Sequence, residues 1–261
     1  MTQSAVAINY ISVPTFDLLG VRVHAVQIPA VIAQMEEWIE RQEKCHFIAV
    51  TDMHSVMEAQ HEVQFKVILN SADLVVPDGF PIVWLGRRQG FALPRRVYGP
   101  ELMVQFCADS AAKGYRHFFY GGAPGVAEDL ARRFSAQFPG LIVAGTFCAP
   151  FRPVSQEEDE EVVARLNNSN ADIVWVALGA PKQERWMFEH RELLRAPVLV
   201  GVGAAFDFCT GRIPQAPVWM RENGLEWLSR LFREPRRLWR RYLIHGSEFA
   251  VLVLLEALGW K

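Results

Sequence analysis

Four short runs of this 261-residue chain carry glycine, three of them with proline and three with polar side chains, in a way that suits phosphate and sugar chemistry. They are Pro77-Asp78-Gly79-Phe80-Pro81, Gly121-Gly122-Ala123-Pro124-Gly125, Gly179-Ala180-Pro181-Lys182-Gln183-Glu184 and Gly203-Ala204-Ala205-Phe206-Asp207. Glycine lets backbone N–H groups approach a ligand, proline suits a first helical turn, and an exposed helix N-terminus favours an anion. Asp78 in such a turn can take the proton of a hydroxyl nucleophile if burial lifts its pKa. It can equally cap a helix beginning near Pro81, and the sequence leaves both open. Gly121 and Gly122 offer a diphosphate cradle, although the run is not GxGxxG and many strand-to-helix turns need glycine for geometry alone. Lys182 could neutralise a phosphate and Gln183 could bond a sugar hydroxyl or the nucleotide; Lys182 and Glu184 could also be solvent-facing first-turn residues. Thr51, Asp52 and His54 close a further apolar run, with His54 either a second acid–base group or a structural histidine. Asp73 and Asp207 are additional carboxylates near strand ends. No Asp-x-Asp pair sits at any of these ends, which argues against a divalent metal on a nucleotide diphosphate.

The elements that must hold these runs follow from the apolar pattern. Phe16 to Val26 alternates around Gly20 and reads as a β-hairpin after a loose leader over residues 1–15. Strand-length apolar runs then appear at 47–51, 74–76, 117–120, 141–144, 173–178 and 198–202. Amphipathic helix-length segments separate them, at 29–41, 55–70, 81–87, 100–113, 124–138, 155–168 and 182–194. Continuous Val/Ile/Leu runs belong in a sheet buried on both faces, and strand–helix alternation makes it parallel. The expectation is an α/β fold, a Rossmann-like parallel sheet flanked by helices over residues 16–205, with ligands beyond the strands' C-terminal ends. The acids Glu157 to Glu161 fall in a first helical turn, where they complement the dipole.

Residues 206–261 form the second expected unit, a helical arginine-rich appendage. Six arginines fall between Arg230 and Arg241 while the whole chain carries a net charge of only −2. Guanidinium groups at that density call for an anionic partner, and the neighbouring Trp and Tyr suit a headgroup boundary. Leu238, Tyr242, Phe249, Leu252 and Leu255 can share one face of a helix interrupted at Gly246, with Arg237, Arg240 and Arg241 elsewhere around it. That face would meet either a membrane surface or the core of the protein. The near-neutral composition excludes a general nucleic-acid role, and Cys45, Cys107, Cys148 and Cys209 lack a CxxC pair, favouring reduced thiols in the cytoplasm. No signal peptide is legible, and the longest apolar stretch is far short of the ~20 residues of a spanning helix.

Taken in order, Asp73…Pro77-Asp78-Gly79, Tyr98-Gly99-Pro100-Glu101-Leu102, Gly121 to Gly125, Pro181-Lys182-Gln183-Glu184, Gly201 to Asp207, Gln215-Ala216-Pro217 and Gly224-Leu225-Glu226-Trp227 resemble the WecG/TagA/CpsF glycosyltransferases over residues 16–242. The resemblance implies inverting, metal-independent transfer of a hexose or N-acetylhexosamine from a nucleotide diphosphate, with a UDP-sugar as co-substrate and no cofactor. It implies a polyprenyl-diphosphate-linked glycan as acceptor, work at the inner face of the cell membrane, and a place in bacterial polysaccharide or wall-polymer synthesis. The catalytic residues it carries over are Asp78 as base, Gln183 and Thr51. The substrate-binding set is Asp52, His54, Gly79, Gly121, Gly122, Lys182, Asp207, Arg230, Arg237, Arg240 and Arg241, with the tail arginines closing over the site when the lipid diphosphate arrives. This chain departs from the pattern in having Thr51-Asp52-Met53-His54 for a Thr-x-Asn motif and Gln215-Ala216-Pro217 for Arg-Ala-Pro, departures that bear on the donor sugar. A nucleotide-dependent oxidoreductase or epimerase, and a non-catalytic nucleotide-sugar-binding protein, are the alternatives; the oligomeric state is open, a homo-oligomer included.

Overall fold

Alternate residues of each central strand enter opposite cores, which is what a sheet covered on both faces requires. Phe47 and Ala49 face one hydrophobic cluster and Ile48 the other; Val174 and Val176 face the first, Ile173 and Trp175 the second. A computed structural model describes residues 13–42, 44–150, 152 and 154–259. Most of the expected leader, and Trp260 and Lys261, lie outside the described residues.

The hairpin forms as expected from β1 (Thr15–Leu18) and β2 (Val21–His24). The main sheet contains β3 (His46–Thr51), β4 (Leu74–Pro77), β5 (Arg116–Gly121), β6 (Ile142–Phe147), β7 (Ile173–Ala177) and β8 (Val198–Gly201). Their order is β4-β3-β8-β7-β5-β6 and every pairing is parallel. Helices α1 (Ile28–Arg41), α2 (Met53–His61), α3 (Val63–Asn70), α4 (Phe80–Arg88), α5 (Gly99–Ser110), α6 (Val126–Gln137), α7 (Gln156–Asn168) and α8 (Lys182–His190) alternate with these strands. This is the Rossmann-like arrangement expected from the sequence. The acids of α7 do belong to a first turn, where Ser155 and Glu158 form a reciprocal capping box.

The single helix expected over 55–70 is two, broken at Glu62, which takes an extended conformation (φ −135°, ψ 107°). In an unbroken helix Val63 and Val67 would continue the buried stripe of Val56 and Ala59, and Phe65 would point away from it. The break reverses this: Phe65, Ile68 and Leu69 are buried while Val63 and Val67 are exposed. Burying the larger side chains, each worth about 1.5–3 kcal/mol, outweighs helical continuity.

Beyond β8 the chain forms α9 (Ala205–Cys209), α10 (Val218–Glu222), α11 (Glu226–Arg233), α12 (Pro235–Trp239), a π-helical turn (Arg240–Ile244) and α13 (His245–Ala257). The irregularity lies in the π turn rather than at Gly246, through which α13 runs unbroken. Leu238 and Phe249 are buried and Leu252 packs against the core, so this apolar face meets protein. Val251, Leu254 and Leu258, three and four residues apart, are exposed on α13. No helix among the described residues is long and apolar enough to cross a membrane.

Candidate active site

The parallel register pairs Thr51 with Pro77, so the residues that follow, Asp52 and Asp78, emerge side by side at the C-terminal edge of the sheet. Asp78 is fixed there by its backbone N–H, which donates to the Thr51 carbonyl at 2.8 Å. Gly79 follows with φ +94°, a conformation that frees the chain to turn sharply into α4. Gly79 itself occupies the N-cap of α4, and no side chain caps that helix. The capping alternative for Asp78 is thereby removed: its carboxylate points instead into a cavity of about 400 Å³.

One wall of this cavity comes from the sheet edge and the other from α11, α12 and the π turn. Asp52, His54, Asp78, Gly79 and Gln183 face Arg230, Arg237, Arg241 and Tyr242 across it. Arg241 already forms an ion pair with Asp52, and Arg237 pairs with Glu234 at 2.9 Å. These arginines thus stand in the cavity wall. The Nε atoms of Arg230 and Arg221, both lining the cavity, are buried donors without a hydrogen-bond partner among the described residues. Such donors are costly unless something accepts from them.

Asp52 and Asp78 titrate in opposite directions. Burial pushes the Asp78 carboxyl up to about 7; Arg96, 3.3 Å away, pulls it back, while Glu226 and Asp52 add to the rise. Burial opposes ionisation of Asp52 too, but the Arg241 guanidinium, with His54 and the Ser55 N–H, outweighs it and holds Asp52 below the usual carboxylate range. Two neighbouring carboxyl groups with separated pKa values are the arrangement by which one site holds a fixed charge and a proton acceptor.

Sequence reasoning missed the group that ties this pair to the C-terminal helices. Arg96 bridges Asp78 to Glu226, at the start of α11, and lies 4.1 Å over the Tyr98 ring. The Tyr98 hydroxyl donates to Glu226 at 3.3 Å. Tyr98 and Glu226 carried no assigned role in the sequence, and the only signal for Arg96 was a pair of arginines, Arg95-Arg96, just ahead of the Tyr98 motif. Glu184 does belong to the first turn of α8, but the solvent-facing alternative left open for it does not hold. It is buried, its pKa pushed up by burial to about 7, and its Oε1 accepts from Gln183 Nε2 at 2.9 Å. Gln183 lines the cavity with its amide oriented at both ends, because its Oε1 accepts from the Gly203 N–H at 2.9 Å.

Other expected residues lie elsewhere. The Thr51 hydroxyl is buried and donates to the Ala49 carbonyl at 3.1 Å, so Thr51 serves the site through its backbone carbonyl. Gly121 and Gly122 do not line the cavity; a Cβ at Gly121 would lie 2.6 Å from the Ala177 oxygen, so glycine there permits close approach of β5 and β7. Lys182 is exposed outside the cavity, as is Arg240, which stacks on the neighbouring Trp239 ring. Asp207 also lies outside the lining, its pKa raised by burial against the pull of Arg212 and Arg237.

The family model described as "Glycosyl transferase WecG/TagA/CpsF family" matches residues 16–261. The chain is 31% identical over 217 residues to the N-acetylglucosaminyldiphosphoundecaprenol N-acetyl-beta-D-mannosaminyltransferase of Bacillus spizizenii, covering 83% of this chain and 82% of that protein. It is 29% identical over 238 residues to the protein of the same name from Bacillus subtilis strain 168, covering 88% and 90%. The chain therefore belongs to the WecG/TagA/CpsF family of glycosyl transferases.

Proposed function

We propose that this glycosyltransferase moves an N-acetylhexosamine or hexose from a nucleotide diphosphate, a UDP-sugar by preference, to a polyprenyl-diphosphate-linked sugar, with inversion. The observation that carries the reading is the pair of adjacent carboxyl groups, Asp52 held ionised by Arg241 and Asp78 raised to about 7, in one cavity lined with arginine. Asp78 accepts the proton of the acceptor hydroxyl as its oxygen bonds to the anomeric carbon. The bond from that carbon to the diphosphate oxygen breaks in the same step, and the nucleotide diphosphate leaves with the electron pair. A base whose pKa lies near working pH is suited to this transfer. Arg230 and Arg221, with buried donors to spare, and Arg237 stabilise the departing charge where a metal would otherwise serve.

The names of the two Bacillus relatives give an N-acetylglucosaminyldiphosphoundecaprenol acceptor and an N-acetyl-beta-D-mannosaminyl group transferred to it. The acceptor class is carried over here, while Asp52 and His54 in the cavity leave the donor sugar to be found by assay. A second cavity, of about 370 Å³, shares Phe80, Arg96, Tyr98 and Arg221 with the first, but Asp78 does not line it. Residues 206–261 act as the appendage that brings the arginines to the lipid diphosphate. The exposed Val251, Leu254 and Leu258, with Trp219 and Phe232, rest on the inner face of the membrane.

The test is a panel of nucleotide sugars screened by thermal stabilisation, then turnover on a synthetic polyprenyl-diphosphate sugar with anomeric analysis of the product. Asp78→Asn is expected to lose at least about a hundredfold in kcat, in keeping with removal of a general base. Near-wild-type turnover by that variant would remove Asp78 as the base, and a retained anomeric configuration would remove direct displacement.

A further inference from the structure

At the edge of the cavity, whose lining includes His54, α2 and α13 meet through a cluster of imidazoles. His54 and Glu58 are four residues apart on α2 and so share one helix face, with His54 Nδ1 3.7 Å from Glu58 Oε1. His245, the first residue of α13, reaches the same point, its ring 5.9 Å from that of His54 and roughly parallel to it. One ligand atom from each of His54, Glu58 and His245 lies within 4.8 Å of the others. Buried Nδ1 atoms of both histidines have no hydrogen-bond partner among the described residues. Two imidazole nitrogens with lone pairs to give, beside a carboxylate and with nothing donating to them, are better explained by a cation than by packing alone.

We infer that His54, Glu58 and His245 form a binding site for a zinc-class divalent transition ion, which clamps α13 onto α2. Two nitrogens and one oxygen suit zinc and its first-row neighbours, whereas magnesium and calcium prefer all-oxygen shells. With metal–ligand bonds of about 2 Å, two ligand atoms on one ion lie no more than ~4 Å apart. The His54–Glu58 pair already meets that limit, and the remaining contraction is a side-chain adjustment of about an ångström. The role is structural: His245 directly follows the π turn that carries Arg241 to Asp52, so a bridge there fixes the turn against the sheet edge. It is independent of any metal on the nucleotide diphosphate and of the donor's identity.

The test uses the untagged full-length protein, stripped with chelator and titrated with zinc chloride by calorimetry and with cobalt chloride by visible absorption. Binding of one equivalent is expected, with cobalt d–d bands and no thiolate charge-transfer band, and with a melting temperature roughly 5 °C or more higher at a hundredfold excess over Kd. Magnesium chloride should give none of this. His245→Ala and Glu58→Gln, checked by circular dichroism, should each weaken zinc binding at least tenfold, while His61→Ala, whose ring only borders the cluster, should keep it. Failure of the wild-type protein to bind zinc or cobalt overturns the inference. So do unchanged binding by both variants, and a thiolate band that assigns the metal to cysteine.

Discussion

Replacing Asp78 by asparagine is expected to abolish turnover and yet make the protein more stable near neutral pH. In the folded chain the Asp78 side chain is only 19% exposed and its pKa rises from 3.8 to about 7, burial outweighing Arg96. The folded state therefore holds this proton over a range in which the unfolded chain has released it. Protonation thus stabilises the fold fully below about pH 4, and that contribution is lost as pH rises towards 7. An interval of about three pH units, at ~1.4 kcal/mol each, amounts to about 4 kcal/mol. Asparagine keeps the shape and can still accept from Arg96, while Arg96 retains Glu226 as its ionic partner. Urea unfolding of both proteins across pH should show the variant ahead by up to about 4 kcal/mol near pH 8, by about half of that near pH 5, and by nothing below about pH 4. A variant no more stable than wild type near pH 8, or a difference that does not change with pH, would refute the argument that burial dominates this carboxyl group.

Three further outcomes are expected. Glu226→Gln removes a negative charge that raises the pKa of Asp78 and frees Arg96 for it, so the acidic limb of kcat/KM against pH should move down by roughly one pH unit; an unmoved limb would mean that the Arg96 bridge does not tune the base. Gly121→Ala would press a Cβ against the Ala177 oxygen at a φ of +105° and should cost more than about 2 kcal/mol in chemical denaturation. Arg221→Ala combined with Arg230→Ala removes the two buried unpaired donors, so stabilisation by inorganic diphosphate, measured by thermal shift, should disappear; full retention would place the anion elsewhere.

Much of the architecture could be read from the sequence because its cause is local. Runs such as Phe47 to Val50 and Ile173 to Ala177 are apolar at every position, and that pattern is stable only in a strand covered on both faces. Pro77-Asp78-Gly79 announced a carboxylate at a strand end for the same reason, since proline fixes its own backbone and glycine frees its own to turn. Even where the pattern misled, at residues 55–70, helix was the right element and only its continuity was missed.

What the sequence could not supply were the relations between distant side chains. The register of β3 against β4 places Asp52 beside Asp78, and the return of α11 brings Glu226 to an arginine 130 positions earlier. Thr51, Lys182 and Gly121 have the right residue types in the right turns, yet their side chains or backbone point away from the cavity. Glu184 has the look of a surface acid and is buried. The pKa of a carboxyl group depends on how much water the fold removes from it and which charges it meets instead, and neither quantity exists until the chain has packed. The sequence by itself therefore determined the sheet, its ligand edge and the identity of the carboxylate there; the tertiary structure alone decided which of two neighbouring aspartates keeps its proton near neutral pH, because desolvation and ion pairing are properties of the packed chain.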